Sequence, residues 1–140
     1  MNEAVAPPYP ARRYAVDQAI VDRYAAVSGD HNPLHLDPAF AAQTPFGRTI
    51  AHGMMTLCFL SESLQAWIGD RWPQSGSLDV TFLSPVFPGD IVTVQVIGDM
   101  VATPEGRQGW RAECRVGDRL VMAGEASVAL RKEGMSHGTT

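Results

Sequence analysis

Residues 24–61 read YAAVSGDHNPLHLDPAFAAQTPFGRTIAHGMMTLCFLS, and two kinds of chain meet inside this stretch. Its first part packs Asp30, Asn32, His35 and Asp37 between Gly29 and Pro38. Gly29 stops the helix before it, and Pro33 denies Asn32 the α region, so Asp30 to Leu36 reads as a tight non-helical loop. The second part opens at Gly53 on an apolar run: Met54, Met55, Leu57, Cys58, Phe59, Leu60, Leu64, Trp67 and Ile68. Placed on a helix, these residues fall on nearly every side, whereas a surface helix keeps one polar face. A helix over 53–68 buried almost all round is therefore expected, rising about 24 Å, a length suited to lying across a curved sheet. Gly69 closes it.

The loop is rich in groups that move protons, and the helix after it supplies a rigid frame for them. His35 follows Asp30 by five positions. In so short a loop a carboxylate and an imidazole can aim at one point, which general acid and base work on a bound water requires. Asp37 has another form: an N-cap followed by a proline at the first helical position, hence structural. Asp and Asn are also ordinary turn formers, and a single His is an ordinary surface or core residue. On spacing alone the loop admits both a catalytic and a structural reading.

At SGDHNPLHLDPAFA, followed after a short gap by AHGM, the chain resembles the MaoC-like family, and most closely its R-specific enoyl-CoA hydratases. The resemblance runs through the helix and more weakly through the later strands. It implies an α+β hot-dog fold, a curved antiparallel sheet wrapped around one long central helix. It implies an enzyme that adds water across the double bond of a trans-2-enoyl-CoA thioester to give the R-3-hydroxyacyl product. On that basis Asp30 and His35 fall on the catalytic aspartate and histidine. Asn32 falls on the asparagine bracing the loop, and Gly53 on the glycine whose N–H faces the thioester oxygen. The resemblance implies no cofactor and no metal; the partner is an acyl-CoA thioester or its acyl carrier protein counterpart. A homodimer is implied too, since a single hot-dog sheet leaves an edge and part of the site wall unfinished.

The chemistry this implies needs three groups. Asp30 and His35 hold and polarise the water, one accepting its proton and the pair returning one to C2. The Gly53 N–H, at the positive end of the helix dipole, meets the developing oxyanion, and the missing Cβ lets the thioester come close. Ser61 and Leu64, three apart on the same helix, are placed in the acyl pocket wall; Ser61 has a second reading, bonding back to its own helix. His52 is read as fixing the helix start, and His31 has no assigned role. Arg48, in the loop from Gln43 to Ile50, has a phosphate-binding reading and a solvated-surface reading, of which the second is preferred.

The whole chain fits one such domain. Its 140 residues suit a single core, 45% apolar and 19% charged residues mark a globular chain, and the net charge of −4 argues against a nucleic-acid surface. Cys58, in the apolar helix, and Cys114, in a strand pattern, make no disulfide framework and are both expected as buried thiols and not as a metal site. Residues 1–10 are expected as a disordered arm without signal-peptide character, residues 11–131 as the domain, and 132–140 as a disordered tail. No segment reaches membrane-spanning length, so a cytoplasmic protein without a membrane partner is expected.

Within the domain, Arg13 to Val16 reads as a strand. Asp17 caps a helix through Val27 with Ile20, Tyr24 and Val27 on one face. After Trp72, period-two alternation marks strands around Leu78–Phe82, Val92–Val96, Trp110–Val116 and Leu120–Leu130. Turns fall at Pro88 to Asp90 and at Gly117–Asp118, with a longer connection from Asp99 to Gln108. Two other classes remain: a hot-dog thioesterase, which places its carboxylate on the central helix, where only Glu62 stands, and a non-catalytic acyl-binding member of the fold.

Overall fold

The structure is a computed structural model that describes residues 9–102 and 104–130, with backbone only at residues 99–101. Residues 1–8 of the expected arm and the whole expected tail, 132–140, lie outside the described residues. Tyr9 and Pro10, counted with the arm, are held: the Trp67 Nε1–H donates to the Pro10 carbonyl (3.0 Å), and the Tyr9 ring meets Trp67 and Trp110 edge-on.

The elements run β1 (Arg12–Ala15), α1 (Gln18–Ser28), α2 (Pro33–Leu36), α3 (Pro38–Ala42), α4 (Gly53–Ile68), α5 (Arg71–Ser75), β2 (Ser77–Phe82), β3 (Ile91–Ala102), β4 (Arg107–Val116) and β5 (Arg119–Ala129). The strands form one antiparallel sheet in the order β1-β3-β4-β5-β2. Period-two alternation puts Val92, Val94, Trp110, Ala112, Cys114, Met122, Ala126 and Val128 on one face. There they share a core with Met55, Leu60 and Leu64 of α4. This is the hot-dog arrangement: a sheet with one long helix against its inner face.

The helix starts and stops follow their local signals. The Ile20 N–H donates to Asp17 Oδ1 (2.8 Å), and Gly29 closes α1 at φ 80°, a left-handed conformation that favours glycine. Asp37 accepts the Ala39 and Phe40 N–H groups, with Pro38 at the first position of α3. The helix α4 spans Gly53–Ile68, as its pattern indicates.

Several expectations are corrected. Residues 33–36 are helical, because the proline that keeps Asn32 extended also begins the turn after it, and Asn32 Oδ1 caps that turn through the Leu34 N–H (2.9 Å). In α1 the buried stripe is Val21 and Ala25; Val27, nearly opposite on the helix, is 87% exposed. The helix α4 is not buried all round: Met54 (54% exposed), Cys58, Glu62 and Gln65 form a solvent-facing stripe, since one sheet covers only one side. The stretch from Asp99 to Gln108 is mostly strand, with Val101 and Ala102 paired to Gly109 and Gln108. Period two also misses a bulge: Cys114 pairs Met122 while Arg115 pairs Leu120, so Val121 is an extra residue and is buried beside Met122. The Val121 carbonyl accepts the Leu83 N–H (2.9 Å), so the bulge holds the end of β2.

Two measurements check this packing. A Cβ at Gly124 would stand 2.1 Å from the Asp79 carbonyl oxygen and 2.6 Å from Val80 Cα, both backbone. Gly124→Ala should destabilise by on the order of 1–3 kcal/mol, read as a lower urea midpoint; an unchanged midpoint contradicts the β2–β5 register.

Burial pushes the Cys114 thiol up to about 12 from 9.0. The unfolded thiol therefore ionises first, so this group's contribution to stability is intact below pH 9 and is lost as pH rises towards 12. At pH 8 Cys114 should resist alkylation in the native protein and react after denaturation. Native labelling at Cys114 would contradict its burial.

Candidate active site

The segment from Ser28 to His35 is fixed by short-range hydrogen bonds that its polar residues make inevitable. The Asp30 N–H donates to Ser28 Oγ (3.2 Å), and Asp30 Oδ1 accepts the Asn32 N–H (3.2 Å). Asn32 then caps α2, which sets His35 in the last residues of that turn. Asn32 thus braces the loop, while Asp30 stays exposed with its carboxylate held by a main-chain N–H.

His35 is 9% exposed, and its Nδ1 lies 2.8 Å from the Ile50 carbonyl oxygen. A carbonyl only accepts, so Nδ1 carries the proton and Nε2 of the neutral ring is a bare acceptor. That is the tautomer a general base needs. The same junction is tied twice more. The Ile50 N–H donates to the Leu34 carbonyl, and Gln18 bridges the His35 carbonyl (2.9 Å) to Thr49 Oγ1 (2.8 Å). The loop before α4 is thereby fastened to α2 and to the first residue of α1.

His52 stands at the junction. It is 2% exposed, its Nε2 is 3.0 Å from the Asp30 carbonyl oxygen, and its ring stacks on His35 with centroids 3.9 Å apart at 27°. The Tyr24 ring of α1 packs on His52 as well, with centroids 4.8 Å apart at 58°. The Tyr24 hydroxyl is raised above its ordinary range, chiefly by burial and then by Cys58 and Asp30 nearby. Asp30, His35 and His52 each bring a donor atom within 4.8 Å of the others. A metal on two imidazoles lies in both ring planes, and stacked planes this close to parallel do not meet at bonding distance. The arrangement suits a hydrogen-bonded water better than an ion.

Gly53 follows. No side chain caps α4; the Met55 N–H goes to the His52 carbonyl (3.0 Å), and the Gly53 N–H stands at the positive end of the helix. Beside Gly53 lies a cavity of about 290 Å³ walled by Phe46, Ile50, Thr56, Phe82, Leu83 and Val86. A Cβ at position 53 would stand 3.2 Å from the Phe82 ring, so glycine keeps that wall accessible to backbone. One end of α4 therefore sets an uncapped helix start beside an apolar cavity; Asp30 and His35 do not line that cavity but join its rim through His52 and the Ile50 carbonyl.

The remaining candidates lie elsewhere. Ser61 Oγ accepts from Trp72 Nε1–H (2.9 Å), a third arrangement beside the two expected, and Leu64 is fully buried in the core. Neither lines the cavity at Gly53. Trp72, 6% exposed, sits on the short helix α5 that the sequence pattern did not announce. Arg48 donates to the Pro88 carbonyl and lies over the Phe87 ring at 4.7 Å. His31 and Glu62 are exposed. A second cleft of about 380 Å³, lined by Asp79, Arg111 and Glu125 among others, holds none of the candidate residues. His52 stands at the helix start as expected, but sequence reasoning did not place it against Asp30 and His35, and it missed Tyr24 and the Phe82–Val86 wall. The available signal was a histidine directly before the glycine of an apolar helix, where a capping residue is usual.

Fold and site together define a hot-dog protein with a carboxylate–imidazole pair set at the uncapped start of its central helix. The chain matches the MaoC like domain family over residues 2–112, and it belongs to that family. Among curated relatives it is 41% identical over 116 residues to the 3-hydroxybutyryl-CoA dehydratase of Methylorubrum extorquens, covering 79% of this chain and 70% of that one. It is 40% identical over 119 residues to the (R)-specific enoyl-CoA hydratase of Aeromonas caviae, covering 80% and 84%. The solved structure of the (R)-hydratase from A. caviae involved in PHA biosynthesis superposes with a TM-score of 0.67 at 35% identity, covering 87% of this chain and 93% of that one.

Proposed function

We propose that the protein is a hydro-lyase that adds water reversibly to a trans-2-enoyl-CoA thioester and releases the R-3-hydroxyacyl-CoA. The observation that supports this best is the His35 tautomer. With Nδ1–H given to the Ile50 carbonyl, Nε2 is left as the acceptor, on a ring with a nitrogen within 4.8 Å of an Asp30 carboxylate oxygen and stacked on His52, the residue before Gly53.

The reaction follows from these groups. The thioester carbonyl takes the Gly53 N–H, its enoyl chain lying in the apolar cavity. Water held between Asp30 and His35 attacks C3, giving up a proton to the pair as the new C–O bond forms. The π electrons move to C2 and on to the thioester oxygen, where the amide and helix dipole stabilise the charge. The pair then returns one proton to C2, so that no proton is gained or lost overall. Because one loop fixes the water and one amide fixes the carbonyl, only one face of the alkene meets the attack.

The Asp30 variant is the cleaner test, since that side chain is exposed. Asp30→Asn and His35→Ala should each lower kcat for crotonyl-CoA hydration about a hundredfold or more with KM changed far less, and the double variant should be hardly worse than either. His35→Ala also forfeits the Ile50 bond and should melt lower, whereas Asp30→Asn should keep the wild-type Tm. Full activity in folded Asp30→Asn would return the loop to a structural role. Thioester hydrolysis is the weaker reading, because Glu62, two and a half turns along α4, stands on its exposed stripe away from the cavity.

The exposed stripe of Met54, Cys58, Glu62 and Gln65 also supports a homodimer in which two α4 helices lie side by side. Light scattering at micromolar concentration should give twice 15.1 kDa; a 15.1 kDa particle contradicts the pairing. No helix among the described residues is long and apolar enough to cross a membrane, in keeping with an enzyme acting in the cytoplasm.

A further inference from the structure

We infer that His52 is a positioning residue for the proposed hydration, holding Asp30 and His35 at their working separation through two independent contacts. This rests on the reading of Asp30 and His35 as the pair that acts on water.

The first contact is to main chain. The His52 Nε2–H donates to the Asp30 carbonyl (3.0 Å), which fixes the backbone from which that exposed carboxylate projects. The second is to a ring. The His35 imidazole is held at one edge by the Ile50 carbonyl, a bond that leaves it free to pivot about that edge. His52 lies against its face at 3.9 Å, which removes the pivot. Tyr24 packs on His52 in turn, so the stack is anchored on α1. One side chain thus sets the backbone of one catalytic group and the plane of the other.

Two features are not explained by stability. His52 occupies the N-cap of α4 and makes no capping bond, where Ser, Thr, Asp or Asn would satisfy the free amides. His52 also leaves its Nδ1 buried and without a partner among the described residues. A buried acceptor without a donor is costly, and a phenyl ring of similar shape would avoid the cost. What phenylalanine lacks is the N–H that reaches Asp30.

Two variants separate the contacts. His52→Gln keeps an N–H with the reach of Nε2 and loses the ring face; His52→Phe keeps the face and loses the N–H. With crotonyl-CoA, each should lower kcat on the order of ten- to a hundredfold while KM stays within about threefold, because geometry and not binding is disturbed. In a His35→Ala background His52→Phe should cost almost nothing more, since its effect passes through the pair. Solvent exchange of the His35 Nδ1–H, followed by NMR, should be faster in His52→Gln, where the ring face is lost.

Wild-type kcat in both folded variants overturns the proposal, and so does an undiminished loss in the His35→Ala background. If the wild-type protein itself does not hydrate crotonyl-CoA, the hydratase reading fails. The exchange measurement then decides the positioning role alone, and an unchanged rate in folded His52→Gln overturns it.

Discussion

The hydrogen bond from His35 Nδ1–H to the Ile50 carbonyl is the contact on which the site depends. It joins the end of α2 to the residues leading into α4, elements fifteen residues apart in sequence. It decides the tautomer, and with it which nitrogen can take a proton. The bonds of Ile50 to Leu34 and of Gln18 to both His35 and Thr49 repeat the same junction, and Ala51 to Val86 ties it to the cavity wall. Without that junction the loop and the Gly53 amide would have no fixed relation, although each would keep its own local structure.

The sheet serves this junction indirectly. Its inner face buries Leu60 and Leu64 and so orients α4, whose first turn borders the cavity at Gly53 and Thr56. The bulge at Val121 turns its carbonyl towards Leu83 and holds the Phe82–Val86 wall in place. A residue that looks like an error in strand alternation therefore shapes the apolar side of the site. The outer stripe of α4 is left open by the single chain.

Much of this was legible in the sequence where the chain's own covalent limits decide the outcome. Asp17 and Gly29 bound α1, Asp37 with Pro38 begins α3, and Gly53 with Gly69 brackets α4. Asp30 and His35 stand out because the loop is short, while the roles of Asn32 and Gly53 come from the resemblance to the MaoC-like family and not from spacing. What was not legible depends on partners distant in sequence. Pro33 signals a break and a helix start with the same ring. The exposure of Met54 and Cys58 is set by how much sheet one chain can offer, which a count of apolar positions does not contain. Val121 is hidden by the period-two rule it interrupts. His52 looked like a helix-start residue, and only its distances to Asp30 and His35 reveal the stack.

The central claim is that one fixed loop and one fixed amide deliver water to a single face of an enoyl thioester. The most direct measurement is to hydrate crotonyl-CoA in deuterium oxide and determine the configuration at C3 and the deuterium content at C2 of the product. The account predicts R-3-hydroxybutyryl-CoA with a single deuterium at C2, in one configuration. An S or racemic product, or release of free coenzyme A without hydration, would contradict it.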